Sequence, residues 1–208
     1  MGGLVEMQTA VNGMQRRSNN RRPAILDAAA NQFRHQGYAA TTMRDIARDA
    51  GMLAGSLYYH FPSKSELLLA VHQEGVRRIA DAVDQAIGSG GANVEPWLRL
   101  EHALIAHLES LLSGGDYAQV VIRDLPIDEP TLKAKLVALR DSYEDRFRDL
   151  VNALPLAESG DARWIRLMLL GAANWSKMWF REDGASPADI AKNFIRMIRA
   201  SNAMENTS

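Results

Sequence analysis

Apolar positions along this chain recur at intervals of three and four and almost never alternate, which predicts helix after helix and no strand. Ile25, Ala28, Ala29 and Phe33 share one face of a helix over 23–36, with Pro23 in its first turn and Gly37 just past its last. Tyr38 is placed to fold back onto the same core. Thr42 with Asp45 three residues on predicts a capped start to a second helix, in which Ile46 and Ala47 point inward and which Gly51 ends. A third, very short helix spans 54–60, anchored by Leu57 and Phe61 four apart. Ser63-Lys64-Ser65-Glu66 opens a long helix to about 87 with a buried stripe through Leu67, Leu68, Val71, Gly75, Val76, Ile79, Ala82 and Val83. Further helices are predicted over 95–112, 117–124, 129–154, 161–181 and 187–200, broken by glycine pairs and prolines, the last one capped by Ser186 with Pro187 in its first turn. The predicted fold class is therefore all-α, with about nine helices.

The block from Ile25 to Lys64 has the layout of a helix-turn-helix, in which one helix props a second and the second lies in the DNA major groove. Its sequence, ILDAAANQFRHQGYAATTMRDIARDAGMLAGSLYYHFPSK, resembles the DNA-binding domain of the TetR family of bacterial regulators across all forty positions, without gaps. The resemblance implies an N-terminal three-helix DNA-binding domain (21–66); residues 1–20, polar throughout, are expected to form a disordered, basic-tipped arm before it. A helical ligand-binding and dimerisation domain (67–208) follows, joined through the long helix. It also implies roles for single residues. Thr42, Met43 and Arg44 open the second helix, where a phosphate or a guanine edge is within reach. Leu53, Ala54, Gly55 and Ser56 form the entry to the recognition helix. Tyr58, His60 and Lys64 are expected at phosphates. Tyr59 and Phe61 are expected to be structural, and as bare aromatics all three of Tyr58, Tyr59 and Phe61 also suit a core. Many family members carry serine or threonine where Ala54 stands, so the base sequence read here is left open.

Charge divides the chain in the same place. Residues 1–65 hold eight arginines and lysines against four carboxylates, a net +4, and the rest carries −5, so that the whole stands at −1. Arg16, Arg17, Arg21 and Arg22 form either an arm that reaches a phosphate or the minor groove, or a solvated tail.

In the second half, Trp164, Leu167, Met168, Gly171, Ala172, Trp175, Met178 and Trp179 form a wide apolar stripe, and Phe194 and Met197 add to it from the last helix. The family arrangement implies a homodimer through these two helices, with Trp164, Met168, Gly171, Ala172, Trp179, Phe194 and Met197 at the interface. The alternative is that the stripe is the protomer's own core. Trp97, Leu104, Tyr117, Val121, Trp175 and Met178 are candidate linings of an effector pocket, or plain core. The segment GAANWSKMWFREDG (171–184) resembles one found in TetR-like regulators of lipid and steroid breakdown, which implies an acyl-CoA or another large apolar acid as effector. Arg123 and Arg166 are placed to meet its anionic group or to lie on the surface.

Composition excludes several classes. With no cysteine there is no disulfide framework, no Cys-ligated zinc and no thiol nucleophile, which suits a reducing cytoplasm. No apolar run approaches the roughly 20 residues of a membrane span, and residues 1–22 lack a signal-peptide core. Neither a cofactor nor a metal is expected. Asp141, Glu144 and Asp145 read as the charged face of a helix. His102 and His107, five apart, point to different faces, unlike the i, i+4 pair of a helical zinc site. There is no glycine-rich phosphate loop after a strand and no serine elbow, so catalysis is not expected. A helical protein-binding adaptor is the rival reading and leaves the basic N-terminal motif unexplained. A TetR-like activator is the rival within the family.

Overall fold

The structure is a computed structural model and describes residues 21–89, 91, 94–122, 128–156 and 161–205. The expected arm at 1–20 and Arg123 lie outside them. Among the described residues there are nine α-helices and no strand: α1 (21–36), α2 (Met43–Asp49), α3 (Ala54–His60), α4 (Lys64–Ser89), α5 (Pro96–Leu112), α6 (Asp116–Val121), α7 (Pro130–Asn152), α8 (Asp161–Trp175) and α9 (Pro187–Glu205). They form two compact units that meet within α4, between His72 and Gln73.

The first unit contains α1 to α3 and the start of α4. Its helices begin and end where local chemistry requires. Thr42 caps α2 by accepting from the Asp45 N–H at 3.2 Å while the Asp45 carboxylate turns back to the Thr42 N–H. Gly51, at φ +62°, supplies the left-handed turn between α2 and α3 that a side chain would strain. Ser63 caps α4 through the Glu66 N–H. Ile25, Ala29, Phe33, Ile46, Ala47, Leu57, Phe61, Leu67, Leu68 and Val71 are buried, and the Tyr38 ring packs against Phe33 at 5.7 Å.

The second unit is organised around α5, which touches α6, α7, α8 and α9. Leu100, Leu104, Leu108 and Leu111, at helical spacing, are completely buried. The start of α5 meets the end of α9, where Arg199 lies over the Trp97 ring and 3.8 Å from Glu95, so these two helices run antiparallel. A forked ion pair from Arg146 to Asp84, at 2.8 and 3.0 Å, ties α7 to α4. Where α4 meets α6 the contact requires Gly75: a Cβ there would stand 2.5 Å from Val121 Cγ2 and 3.2 Å from the Tyr117 carbonyl.

The helix expected over 161–181 stops at Trp175 and gives way to a 3₁₀ turn, Ser176–Met178. The buried Ser176 hydroxyl donates to the Ala173 carbonyl at 2.6 Å, a local bond that competes with the helical ladder and tightens the turn. The Lys177 ammonium then fastens this turn to the Ile122 carbonyl at 2.9 Å.

One polar pair sits in the apolar centre. His107 on α5 shares a 2.6 Å hydrogen bond with the Tyr143 hydroxyl on α7, and both rings pack on Phe147. Burial pushes the imidazole down from 6.5 to about 4 and raises the phenol. His107 is therefore neutral in the folded protein near pH 7.

Two outcomes follow from this packing. Gly75→Val should lower the unfolding free energy by about 1–3 kcal/mol through overpacking, measured by urea denaturation. The second concerns pH. The unfolded chain binds a proton at His107 near 6.5 and the folded chain does not until about 4, so stability should fall as pH drops through that interval. His72, also lowered by burial, acts in the same sense. Carboxylates such as Glu74, held down to about 2 by Arg77, take over only below about 4.5. His107→Gln should thus flatten the loss between pH 6.5 and 4.5, by on the order of 2 kcal/mol; equal slopes in the two proteins would rule out His107 as the cause.

Candidate DNA-binding face

Seen along α3, Leu57 points inward and is fully buried, and Phe61, one turn on, follows it at 4% exposure. Helical geometry then sends the residues between them outward, because each step turns the side chain by about 100°. Tyr58 is half exposed and Tyr59 is 83% exposed. Phe61 is thus the structural aromatic that was expected, but Tyr59 is not. It stands on the solvent face, where the spacing from Leu57 alone would have put it. Leu53 is 79% exposed, Gly55 and Ser56 are exposed, and Ala54 and His60 are half-buried. The structure brings these residues together on one short helix, with no side-chain cap at its start.

On α2, Arg44 is exposed and Met43 is buried, so Met43 belongs to the core rather than to the surface where it was expected. The reason is periodic: Met43, Ile46 and Ala47 share the inward face. Thr42 is exposed, but its hydroxyl is engaged with the Asp45 carboxylate at 2.5 Å, which leaves it a helix cap first. That bond, chiefly, holds the Asp45 carboxyl below its ordinary range. Arg48 pairs with Asp45 at 3.0 Å.

Lys64 departs most from expectation. Its ammonium, instead of standing free for a phosphate, points at the carbonyls of Tyr38, Thr41 and Ala39, at 2.7, 2.9 and 3.3 Å, and lies 4.5 Å above the Tyr38 ring. The two arginines at the start of α1 are also applied to the fold: Arg21 reaches the Gly51 carbonyl at 3.4 Å and Arg22 lies over the Phe61 ring at 4.7 Å.

In the second unit the six expected pocket residues are not brought together. Trp97, Leu104 and Tyr117 are buried core, with Arg78 covering the Tyr117 ring at 4.1 Å, and Val121 is half-buried against Gly75. Trp175 and Met178 are instead about two-thirds exposed. They continue the stripe of α8 that runs through Trp164, Met168 and Gly171 at spacings of three and four, all exposed. Trp164, Met168, Ala172, Phe194 and Met197 line an open apolar groove of about 830 Å³ between α8 and α9. Trp179 is exposed beyond its end. Arg166 is not a surface charge: it pairs with Glu144 at 2.7 Å. Among the described residues no group of three potential ligands is placed to hold a metal, and no helix is long and apolar enough to cross a membrane.

A packed helix-turn-helix with an outward polar and aromatic face, followed by a larger helical unit, is the arrangement of a DNA-binding transcriptional regulator. Residues 25–71 match the family of bacterial regulatory proteins named for TetR, and residues 93–201 match the tetracycline repressor-like C-terminal domain. The chain belongs to the TetR family. FasR of Mycolicibacterium smegmatis, a transcriptional activator, is 29% identical over 185 residues, covering 86% of this chain and 83% of FasR. KstR2 of Mycobacterium tuberculosis, a transcriptional repressor, is 40% identical over 108 residues, half of each chain. AibR, solved in complex with isovaleryl coenzyme A and operator DNA, shares the fold with a TM-score of 0.71 at 23% identity, over 85% of this chain and 97% of AibR. As a member of this family of bacterial regulatory proteins, the chain is a regulator and not an enzyme.

Proposed function

We propose that this chain is a homodimeric repressor that leaves its operator when an apolar, acyl-CoA-like effector binds. The observation that carries the DNA-binding part is the outward face of α3, where Leu53, Gly55, Ser56, Tyr58 and Tyr59 stand clear of a core that Leu57 and Phe61 anchor. Residues 21–66 are the DNA-binding part and 67–208 the effector-binding and dimerisation part. Leu53 and Ala54 suit thymine methyl groups, and Ser56 a base or a phosphate. Arg44, Tyr58 and His60 suit the flanking phosphates. To these we add Tyr59, and we take Met43 out.

The dimer is assigned to the groove between α8 and α9. An apolar stripe carrying Trp164, Leu167, Met168, Trp175 and Met178 at 40% exposure or more is what an isologous four-helix contact would cover. Trp175 and Met178 move from the pocket to this surface. For the effector, the support is the likeness of residues 171–184 to regulators of lipid and steroid breakdown, and the presence of isovaleryl coenzyme A on the same fold in AibR. Activation is the second reading, favoured by the FasR likeness that spans most of the chain.

The first test is a mobility shift on duplexes recovered by random-sequence selection, with long-chain acyl-CoAs added to the bound complex. A salt-sensitive, sequence-specific complex is expected, released by acyl-CoA. Operator DNA must then weaken acyl-CoA binding by the same factor. Binding of both without mutual effect would overturn the mechanism. Tyr58→Ala should weaken binding to all sequences alike, by about tenfold, because a phosphate contact carries no sequence information; a change confined to base preference would move Tyr58 from the backbone to the bases. Met168→Glu should give monomers by sedimentation and abolish binding to the paired half-sites.

A further inference from the structure

The break that ends α8 has two sides. Ser176 is fully buried, with its hydroxyl on the Ala173 carbonyl at 2.6 Å and its own carbonyl accepting from the Trp179 and Phe180 N–H groups at 3.1 and 2.8 Å. A 3₁₀ turn sets successive side chains about 120° apart, so with Ser176 inward, Lys177 and Met178 diverge to either side of it. Met178 is exposed, as are Trp175 and Trp179 that flank the turn. Lys177 goes the other way and donates to the Ile122 carbonyl at 2.9 Å. Ile122 is the C-cap of α6, the end at which the last carbonyls of a helix lack partners within it and a cation is favoured. α6 needs such help. It has six residues and no side-chain cap at its start, and a helix of that length does not persist alone in water. Its other holds are the buried side chains of Tyr117, Ala118 and Val120, and the close approach of Val121 to Gly75 on α4. One turn thus carries apolar side chains to the surface and a cation to the end of α6.

We infer that the 175–179 turn is shared between the dimer and α6: a second copy of this chain covers Trp175 and Met178 on the outside, Lys177 caps α6 on the inside, and each contact stabilises the other. The reason is entropic. Ordering the turn costs conformational freedom. A partner that immobilises Trp175 and Met178 leaves Lys177 less freedom to lose, and an ordered α6 does the same for the partner. By linkage, whatever loosens the end of α6 weakens the dimer, and whatever separates the protomers frees the end of α6. The occupant is a second copy because Trp175 and Met178 continue, at the same spacing of three and four, the exposed stripe through Trp164, Met168 and Gly171 to which the dimer is assigned. The inference rests on that dimer reading.

Hydrogen exchange in the full-length protein tests it. The amides at 119–122 should exchange about tenfold faster in Met168→Glu monomers than in the dimeric parent, while the core amides of α5 keep their protection. Equal rates would overturn the coupling and leave the dimer reading intact. A parent that sediments as a monomer at every concentration would overturn both. Lys177→Met should speed the same amides about tenfold in the dimer and raise the dimer dissociation constant by a similar factor. Lys177→Arg, which keeps a charged donor for the carbonyl, should do neither. A cap that served α6 alone would act alike in every background. In Met168→Glu, where the turn is already loose, Lys177→Met should therefore add less than about twofold; a tenfold effect there as well would overturn the coupling. If either variant fails to fold, dilution of the parent through its dissociation decides: exchange at 119–122 should rise as monomer appears, and exchange that stays level would overturn the inference.

Discussion

A helix of seven residues is too short to hold itself together in water, since isolated helices below about 12–15 residues are marginal even with good formers. α2 and α3 are both of that length. Both depend on order borrowed from elsewhere: the Thr42–Asp45 box, the left-handed turn at Gly51, and the side chains of Ile46, Leu57 and Phe61 in the core. Because so few residues serve as anchors, the others are released. Tyr58, Tyr59, Ser56 and Leu53 present themselves outward while Leu57 and Phe61 anchor α3 in the core. The cations around the motif support the same arrangement, with Lys64, Arg21 and Arg22 spent on carbonyls and ring faces of the fold.

The second unit solves the opposite problem. Its helices are long enough to persist, and what needs explaining is how polar groups survive inside and apolar groups outside. His107 and Tyr143 are buried together with a short hydrogen bond between them, which offsets part of the cost of their desolvation, and burial itself keeps the imidazole neutral. The exposed stripe of α8 is left uncovered among the described residues. Large apolar side chains at 40–66% exposure along one helix face are a surface with business elsewhere, and the family's dimeric habit supplies the simplest account.

The two named relatives regulate in opposite senses, FasR as an activator and KstR2 as a repressor. A shared fold and a shared helix-turn-helix are compatible with both, because the sign of regulation is set by where an operator lies relative to a promoter and not by the fold that carries the motif. What the fold contributes is a pair of helices, α2 and α3, too small to stand alone and therefore sensitive to whatever holds their base.

Much of this was legible in the chain itself. Local signals act over three to five residues, and they placed the caps at Thr42, Ser63 and Ser186, the breaks at Gly37 and Gly51, and nine helices, although the helix expected over 161–181 ends early at Trp175 and the one expected over 187–200 runs on to Glu205. Periodicity also carried more than was first taken from it: the spacing from Leu57 sends Tyr59 outward, the spacing from Ile46 takes Met43 inward, and the stripe from Trp164 runs on through Trp175. Other features depend on contacts that no local pattern encodes. That Lys64 would find three carbonyls 23 to 26 residues back, that Arg166 would pair with Glu144, and that Gly75 would lie under Val121 all require distant segments to be brought together. The sequence determined which stretches are helical and which faces are apolar, because those follow from neighbouring residues. Only the tertiary structure decided which apolar face is covered and which charge is already engaged, because both depend on what another part of the chain places opposite.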